Sequence, residues 1–388
     1  MPPPFPFEAV LLFGFLSILL LSGVLLRAWL GFLQRLLFPA SLIGGLLGFA
    51  LINGHGFGFD TELIKAFAYH FFNISFISVG LTPPAFQDHG AGRQGMMLRG
   101  SIWMAVLQAA TFSLQALVGG VLVVLFMLLG MPLFETFGFL VPLAFNEGPG
   151  QALSIGRAWE AVGFVDASTI GLTFATIGFF FAFFVGVPMA NLAVRRKRFV
   201  NTRPDPFFLK GILPRGQASE SGAGLTTHSA NVDCLAFHLA QIGLAYVVTW
   251  FLVSGLTWLV PGEASAILWG FFFLFGLVVA IGLRKALEAA SLGRLLDAPL
   301  QRRITGMSVD YLIVATGCGI DLIVVGRYGV PIAVMALAAG VLTTLMVVML
   351  GRRLSDYSLE RTLAMYGVVT GTVASGLLLL RIVDPEFE

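Results

Sequence analysis

Six residues, Asn146-Glu-Gly-Pro-Gly-Gln151, set two glycines, a proline and a carboxylate inside a chain that is otherwise a succession of apolar runs. Helix breakers at membrane depth free backbone groups that find no water unless they line a cavity or lie within protein. A carboxylate at such a place usually marks a substrate or ion path. Any fold for this chain must therefore accommodate a polar break near residue 148 without turning it toward hydrocarbon.

The membrane premise itself comes from composition. Of 388 residues, 57% are hydrophobic and 11% charged, with a mean hydropathy of +0.90, against roughly 25% charged in soluble domains. The expectation is an all-α polytopic membrane protein in a lipid bilayer, not the two or three soluble domains that length alone would allow. Forty-six glycines and 37 phenylalanines suit close helix packing and lipid-facing bulk. A net charge of +2 gives no footing for nucleic acid. Cys234 and Cys318 fit no metal spacing and read as small core residues. Met1 to Glu8 lacks a basic signal-peptide start, so 9–28 reads as a membrane helix that is kept.

A spanning helix needs roughly 20 apolar residues. The first half, 1–194, offers runs at 9–28, 37–53, 62–82, 101–129 and 167–194, with the broken segment 138–157 between the last two. The run 101–129 is longer than a bilayer requires, so a tilt or a bend at Gly119-Gly120 is expected. Basic residues near helix ends favour the cytoplasm. From an outside N-terminus, Arg27 and Arg35, Arg93 and Arg99, and Arg195-Arg196-Lys197-Arg198 all fall inside, provided 138–157 returns to the face it left. Charge thus predicts five crossings and one re-entrant segment, with an ordinary sixth span as the alternative. Residues 195–233, with seven basic and three acidic side chains, read as a cytoplasmic linker. The second half, 234–388, reads as spans at 235–259, 266–283, 308–326 and 329–350, then an apolar piece at 365–380. Arg327 sits poorly on an outside loop, where Asp321 could pair with it.

The halves repeat the same order of elements with opposite membrane orientation. Asn73-Ile-Ser-Phe-Ile-Ser-Val-Gly80 aligns with Asp310-Tyr-Leu-Ile-Val-Ala-Thr-Gly317, and Gly148-Pro-Gly150 corresponds to Gly371-Thr-Val-Ala-Ser375. Gly-interrupted apolar segments at matching positions point to a site at the bilayer midplane. The expected architecture is an inverted-repeat transporter bundle of about five spans plus a broken segment per repeat. The second repeat has no counterpart to 167–194, which reads as a chain lacking its final helix, with an asymmetric architecture as the alternative.

On particular motifs the chain resembles the bacterial sodium/glutamate symporters. These are Phe38-Pro-Ala-Ser-Leu-Ile-Gly-Gly45, Ser78-Val-Gly80-Leu, Gly163-Phe-Val-Asp-Ala-Ser-Thr169, Ala175-Thr-Ile-Gly-Phe179 and Gly186-Val-Pro-Met-Ala-Asn191. The resemblance covers most of the length. It implies two inverted five-helix repeats, a homodimer, residence in the bacterial cytoplasmic membrane, and sodium-driven glutamate uptake by an elevator-like movement. The family pattern at the broken segment is Gly-Gly-His-Gly-Thr-Gly, and this chain departs from it. Glu147, if ionised, would repel a substrate carboxylate close by.

Half-helix N-termini suit an anion and half-helix C-termini a cation. Asn146, Glu147, Gly148, Gly150 and Gln151 are therefore assigned to one substrate-facing tip, and Thr370, Gly371, Thr372 and Ser375 to the opposing one. Glu147 reads either as a ligand for sodium or ammonium, or as a protonated or paired structural carboxylate. Hard oxygen donors suit a small cation, which makes Asn73, Ser78, Asp310 and Thr316 the sodium candidates; Asp310 could equally cap its helix. His70 and His238 read as packed, hydrogen-bonded histidines. Gln108 and Gln115 recur on nearly one helix face, where helix–helix bonding and a pathway explain them equally. No cofactor beyond the coupling ion is expected. HExxH, GxSxG and Walker A sequences are absent, so enzyme chemistry is not expected. The functional expectation is a sodium-coupled symporter for glutamate or a similar anionic substrate. Another organic anion, proton coupling or a channel are the alternatives.

Overall fold

The computed structural model describes residues 5–55, 58–84, 91–195, 224, 226–228, 230–260, 262, 264–354 and 357–384. The described residues are helical, without strands. Six helices are long and apolar enough to cross a membrane, the character of a multi-pass membrane protein. In chain order the helices are α1 (Glu8–Trp29), α2 (Gly31–Arg35), α3 (Ala40–His55), α4 (Thr61–Leu81), α5 (Ala91–Leu128), α6 (Leu140–Phe145), α7 (Pro149–Glu160), α8 (Ala167–Phe184) and α9 (Gly186–Arg195). They continue as α10 (Cys234–Leu259), α11 (Ala264–Gly270), α12 (Phe272–Ala289), α13 (Ala298–Cys318), α14 (Leu322–Gly351), α15 (Ser358–Thr370) and α16 (Val373–Val383).

Aspartates start four of these helices. The side chains of Asp60, Asp233, Asp297 and Asp321 accept from free first-turn amides of α4, α10, α13 and α14, each cap contributing about 1 kcal/mol. Asp297, not Asp310, therefore caps α13. His238 supports the same turn: its Nε2 accepts from the Asp297 N–H, while its Nδ1 faces the Cys234 carbonyl.

Packing divides the helices into two layers. In one, α4 lies against α12 and α13, α13 lies against α3 and α4, and α1 and α10 flank them. In the other, α5 packs on α6, α14 and α15, α8 packs on α6, α7, α14 and α15, and α16 packs on α15, while α7 also touches α4, α11 and α13 of the first. Glycines permit the closest crossings. A Cβ at Gly317 would overlap the Gly45 carbonyl of α3, and one at Gly80 would come within 2.7 Å of Ala280 Cβ on α12. The two glycines that end the aligned octapeptides thus do the same work on the two sides of the α4–α13 pair.

Several sequence boundaries shift. The expected spans 308–326 and 329–350 are instead Ala298–Cys318 and Leu322–Gly351. The chain breaks at Gly319-Ile320, where Asn53 of α3 donates to the Ile320 carbonyl and accepts from the Leu322 N–H. Arg327 therefore lies within α14, and it pairs with Asp166 at 3.7 Å rather than with Asp321. The expected span 266–283 is interrupted at Phe271 between α11 and α12. Helix α5 runs unbroken through Gly119-Gly120. Gly119 is a contact rather than a bend: a Cβ there would overlap the backbone of Gly138. Most of the 195–233 linker, including Arg196-Lys197-Arg198, lies outside the described residues.

Candidate functional site

The hexad ends one helix and begins another by three separate local causes. Gly148 has φ +94° and ψ 178°, a backbone region essentially confined to glycine. Pro149 takes the first helical position of α7, where a missing N–H costs nothing. Gly150 lies under the Phe72 ring of α4, so closely that a Cβ would overlap it. The amides of Gly150 and Gln151 precede the first intrahelical bond of α7, from Ala152 N–H to the Gly148 carbonyl at 3.2 Å, and have no helical partner.

The segment around this break is a hairpin. Gly138 packs on Gly119 of α5, and Asn146 meets Gln108 and Thr111 of the same helix. Gln108 lies about 16 Å further along α5 at 1.5 Å per residue. Beyond the break, α7 returns. Arg157 pairs with Glu62 at the start of α4, and Trp159 rejoins the descending limb through Phe164, which stacks on Phe134 at 4.6 Å. Segment 138–157 thus leaves by the end at which it enters, the end marked by Glu62.

A second hairpin enters from the opposite end. There Gly351, closing α14, packs on Thr362 of α15. Helices α15 and α16 run back to back: a Cβ at Gly367 would lie 2.6 Å from the Gly376 nitrogen. The limbs are joined at Gly371, and Thr372 Oγ1 caps α16 by accepting from the Ser375 N–H at 3.4 Å.

The tips meet. A Cβ built on Gly148 would lie 3.2 Å from both the Gly371 carbonyl and Thr372 Cγ2. Helix α5 holds both tips. Gln108 Nε2 donates to the Asn146 carbonyl at 3.1 Å, and Gln115 Nε2 donates to the Val369 carbonyl at 3.1 Å and to Thr343 Oγ1 at 3.0 Å. Thr111 Oγ1, between them on the same face, accepts from Asn146 Nδ2 at 2.8 Å. Each descending limb thus ends on a carbonyl bonded by a glutamine of one helix. From the other side α8 passes both tips: Gly178 admits the Thr370 carbonyl, and Phe179 lies against Gly371.

Among the sequence candidates, Asn146, Gly148, Thr370, Gly371, Thr372 and Ser375 come together at this junction. Glu147 and Gln151 turn aside into a cavity of about 470 Å³ walled by Phe112, Phe139, Leu143 and Phe273. The Glu147 carboxylate there stands beside the Gln151 and Gln108 amides. Asn146 Oδ1, Gln151 Oε1 and Gln115 Oε1 are buried without a hydrogen-bond partner among the described residues.

The sodium candidates do not gather into one shell. Asn73 is fully buried with neither amide atom hydrogen-bonded, although the Tyr69 and Tyr246 hydroxyls stand near it. Ser78 donates toward the Gln301 carbonyl and side chain at 2.8 and 2.7 Å. Thr316 donates to Leu312 within its own helix. Asp310 is exposed, beside Ser41. His70 is exposed and shares a 2.7 Å hydrogen bond with Tyr246. Among the described residues no cluster of three or more His, Cys, Asp or Glu side chains could hold a metal.

Comparison with known proteins finds no matching family model, no similar curated sequence and no similar solved structure. The site therefore rests on its own geometry. Sequence reasoning missed Thr111 and Phe72 and left Gln108 and Gln115 undecided. The seven-residue spacing of the two glutamines was the available signal.

Proposed function

We propose that the chain is a secondary transporter that moves a small anionic substrate by alternating access, with glutamate or a similar acidic amino acid carried on a sodium gradient. The observation that supports this is the meeting of Gly148 with Gly371 and Thr372, at the tips of hairpins entering from opposite ends. Broken helices meeting inside an apolar bundle present two half-helix N-termini, those of α7 and α16, to one region. Such termini favour anions through free N–H groups and the helix dipole. The reciprocal packing of Gly80 and Gly317 supports reading 1–194 and 234–388 as inverted repeats, and the two layers suit movement of one against the other. A membrane potential of 100 mV supplies about 2.3 kcal/mol per charge moved, so two net charges would sustain steep accumulation. In this reading the protein works as a homodimer in a bacterial cytoplasmic membrane.

Glu147 favours a second version of the same function. A carboxylate facing a cavity beside the tips suits a proton, or a substrate carrying an ammonium group, better than a plain anion. Uptake of labelled glutamate into proteoliposomes separates the versions. Sodium-dependent, saturable uptake is expected. Glutamate uptake that persists without sodium and follows a proton gradient would transfer the coupling to Glu147, and unsaturable flux would make the chain a channel.

A further inference from the structure

A second cavity, of about 410 Å³, opens between α4, α7 and α11, at the end where the first hairpin enters. Its size is in the range of small-molecule sites, and several polar side chains stand in its largely apolar lining. Glu62, Lys65, Tyr69 and His70 face it from α4, and Ser154 and Arg157 from α7, with Trp269 of α11 as a wall.

Most of these groups are already engaged. Arg157 is shared between Glu62 and Glu160, Tyr69 donates to the Trp269 carbonyl at 2.7 Å, and His70 bonds Tyr246. Two are not. Ser154 is 1% exposed, and its hydroxyl has no hydrogen-bond partner among the described residues. The Lys65 side chain is 12% exposed, and among the described residues its ammonium has only a 3.8 Å ion pair with Glu62, too long for a hydrogen bond. A buried hydroxyl with no partner is costly, and the Lys65 ammonium on the same cavity has donors to spare. They lie on helices of different layers and face one space. What satisfies both is an oxyanion.

We propose that this cavity binds a small organic carboxylate between the Lys65 ammonium and the Ser154 hydroxyl. The site stands apart from the hairpin tips but shares α7 with them: Ser154 lies one turn beyond Gln151. A carboxylate held here joins α4 to the returning limb of the first hairpin. The site depends on the transport reading only for what the carboxylate does next.

The test is charge-selective labelling of the full chain in lipid nanodiscs. Cys234 and Cys318 are both buried, so a cysteine introduced at Ala266, on the cavity wall, becomes the reactive thiol. A lone positive charge about 6 Å away in a water-filled space would favour an anionic over a cationic reagent by about tenfold, and the Glu62 carboxylate 3.8 Å from the Lys65 ammonium lowers that to about threefold. The expected result is a preference of that order for a sulfonate-bearing over an ammonium-bearing methanethiosulfonate, each normalised to a solvent-exposed cysteine. Lys65→Gln should abolish the preference and Lys65→Arg should keep it. At least one of acetate, succinate and L-glutamate should slow the labelling, less so with Ser154→Ala. Equal labelling by both reagents, a preference indifferent to Lys65→Gln, or no protection by any of the three overturns the proposal. Because nothing is transported in this assay, a chain that labels as expected yet moves no substrate retains the site and loses only the transport reading. A chain that transports but shows no preference loses only the site.

Discussion

Gly148→Ala is the sharpest perturbation of the hairpin junction. At φ +94° and ψ 178° an alanine is held in a region that costs about 1–3 kcal/mol for a residue with a side chain. Its Cβ would also stand 3.2 Å from the Gly371 carbonyl and Thr372 Cγ2, so the opposing tip must yield by a few tenths of an ångström. Together these come to about 2–3 kcal/mol, or roughly 30- to 150-fold at 1.36 kcal/mol per decade. The strain falls on a two-residue junction, while the packing of α4, α12 and α13 is untouched. Folded yield by size-exclusion chromatography should therefore stay close to the parent, while initial uptake rate falls by that factor. Gly120→Ala is the matched control: nothing lies within 4 Å of its Cβ, and no loss is expected. Parent-like uptake by Gly148→Ala, with both proteins folded, would refute the claim that the junction at residue 148 carries function.

Other consequences of the same geometry can be measured together. Gln108→Ala and Gln115→Ala each remove a glutamine from a limb-ending carbonyl; each should cost about 1–3 kcal/mol of stability through lost and orphaned hydrogen bonding, read as a lower melting temperature. Because one helix holds both tips, their effects on uptake should be coupled in a double-mutant cycle, and strict additivity would count against that. Gly317→Ala and Gly80→Ala should both impair folding, because backbone or a buried Cβ stands where the methyl group would go. A large difference between them would weaken the equivalence of the two crossings. Glu147→Gln should change coupling or apparent affinity with folded yield intact, and unchanged transport at every pH and sodium concentration would remove that carboxylate from the mechanism.

The hairpins were more legible in the sequence than the helix boundaries, for a physical reason. Gly148, Pro149 and Gly150 each break regular helix by local rules, so the break can be placed without tertiary information. The return of the segment to its starting face could be argued from where Arg and Lys cluster. The 319–321 break was missed because Asp321 ends an apolar run much as a snorkelling residue would, and only Asn53, 267 residues away, completes its turn. Gly119 was misread for a related reason: a glycine pair in a long helix signals a bend or a contact equally, and Gly138 decides between them. For the site, backbone tip residues follow from composition and spacing. The partners that hold them do not, since nothing local distinguishes Gln108 from any other helix–helix glutamine. The dispersal of Asn73, Ser78, Asp310 and Thr316 was likewise invisible, because one-dimensional alignment of two octapeptides fixes their register but not their neighbours.

Cross-linking across the tips tests the central geometry most directly. Cysteines replace Glu147 and Thr372 in a background without Cys234 and Cys318, and a protease site is introduced within 196–223. A bifunctional thiol reagent long enough to reach round Gly148 from the Glu147 cavity should keep the two halves joined after cleavage on a denaturing gel, in nanodiscs as in detergent. Two separate fragments in every condition, from protein that is folded and labelled at both cysteines, would mean that the hairpins do not meet.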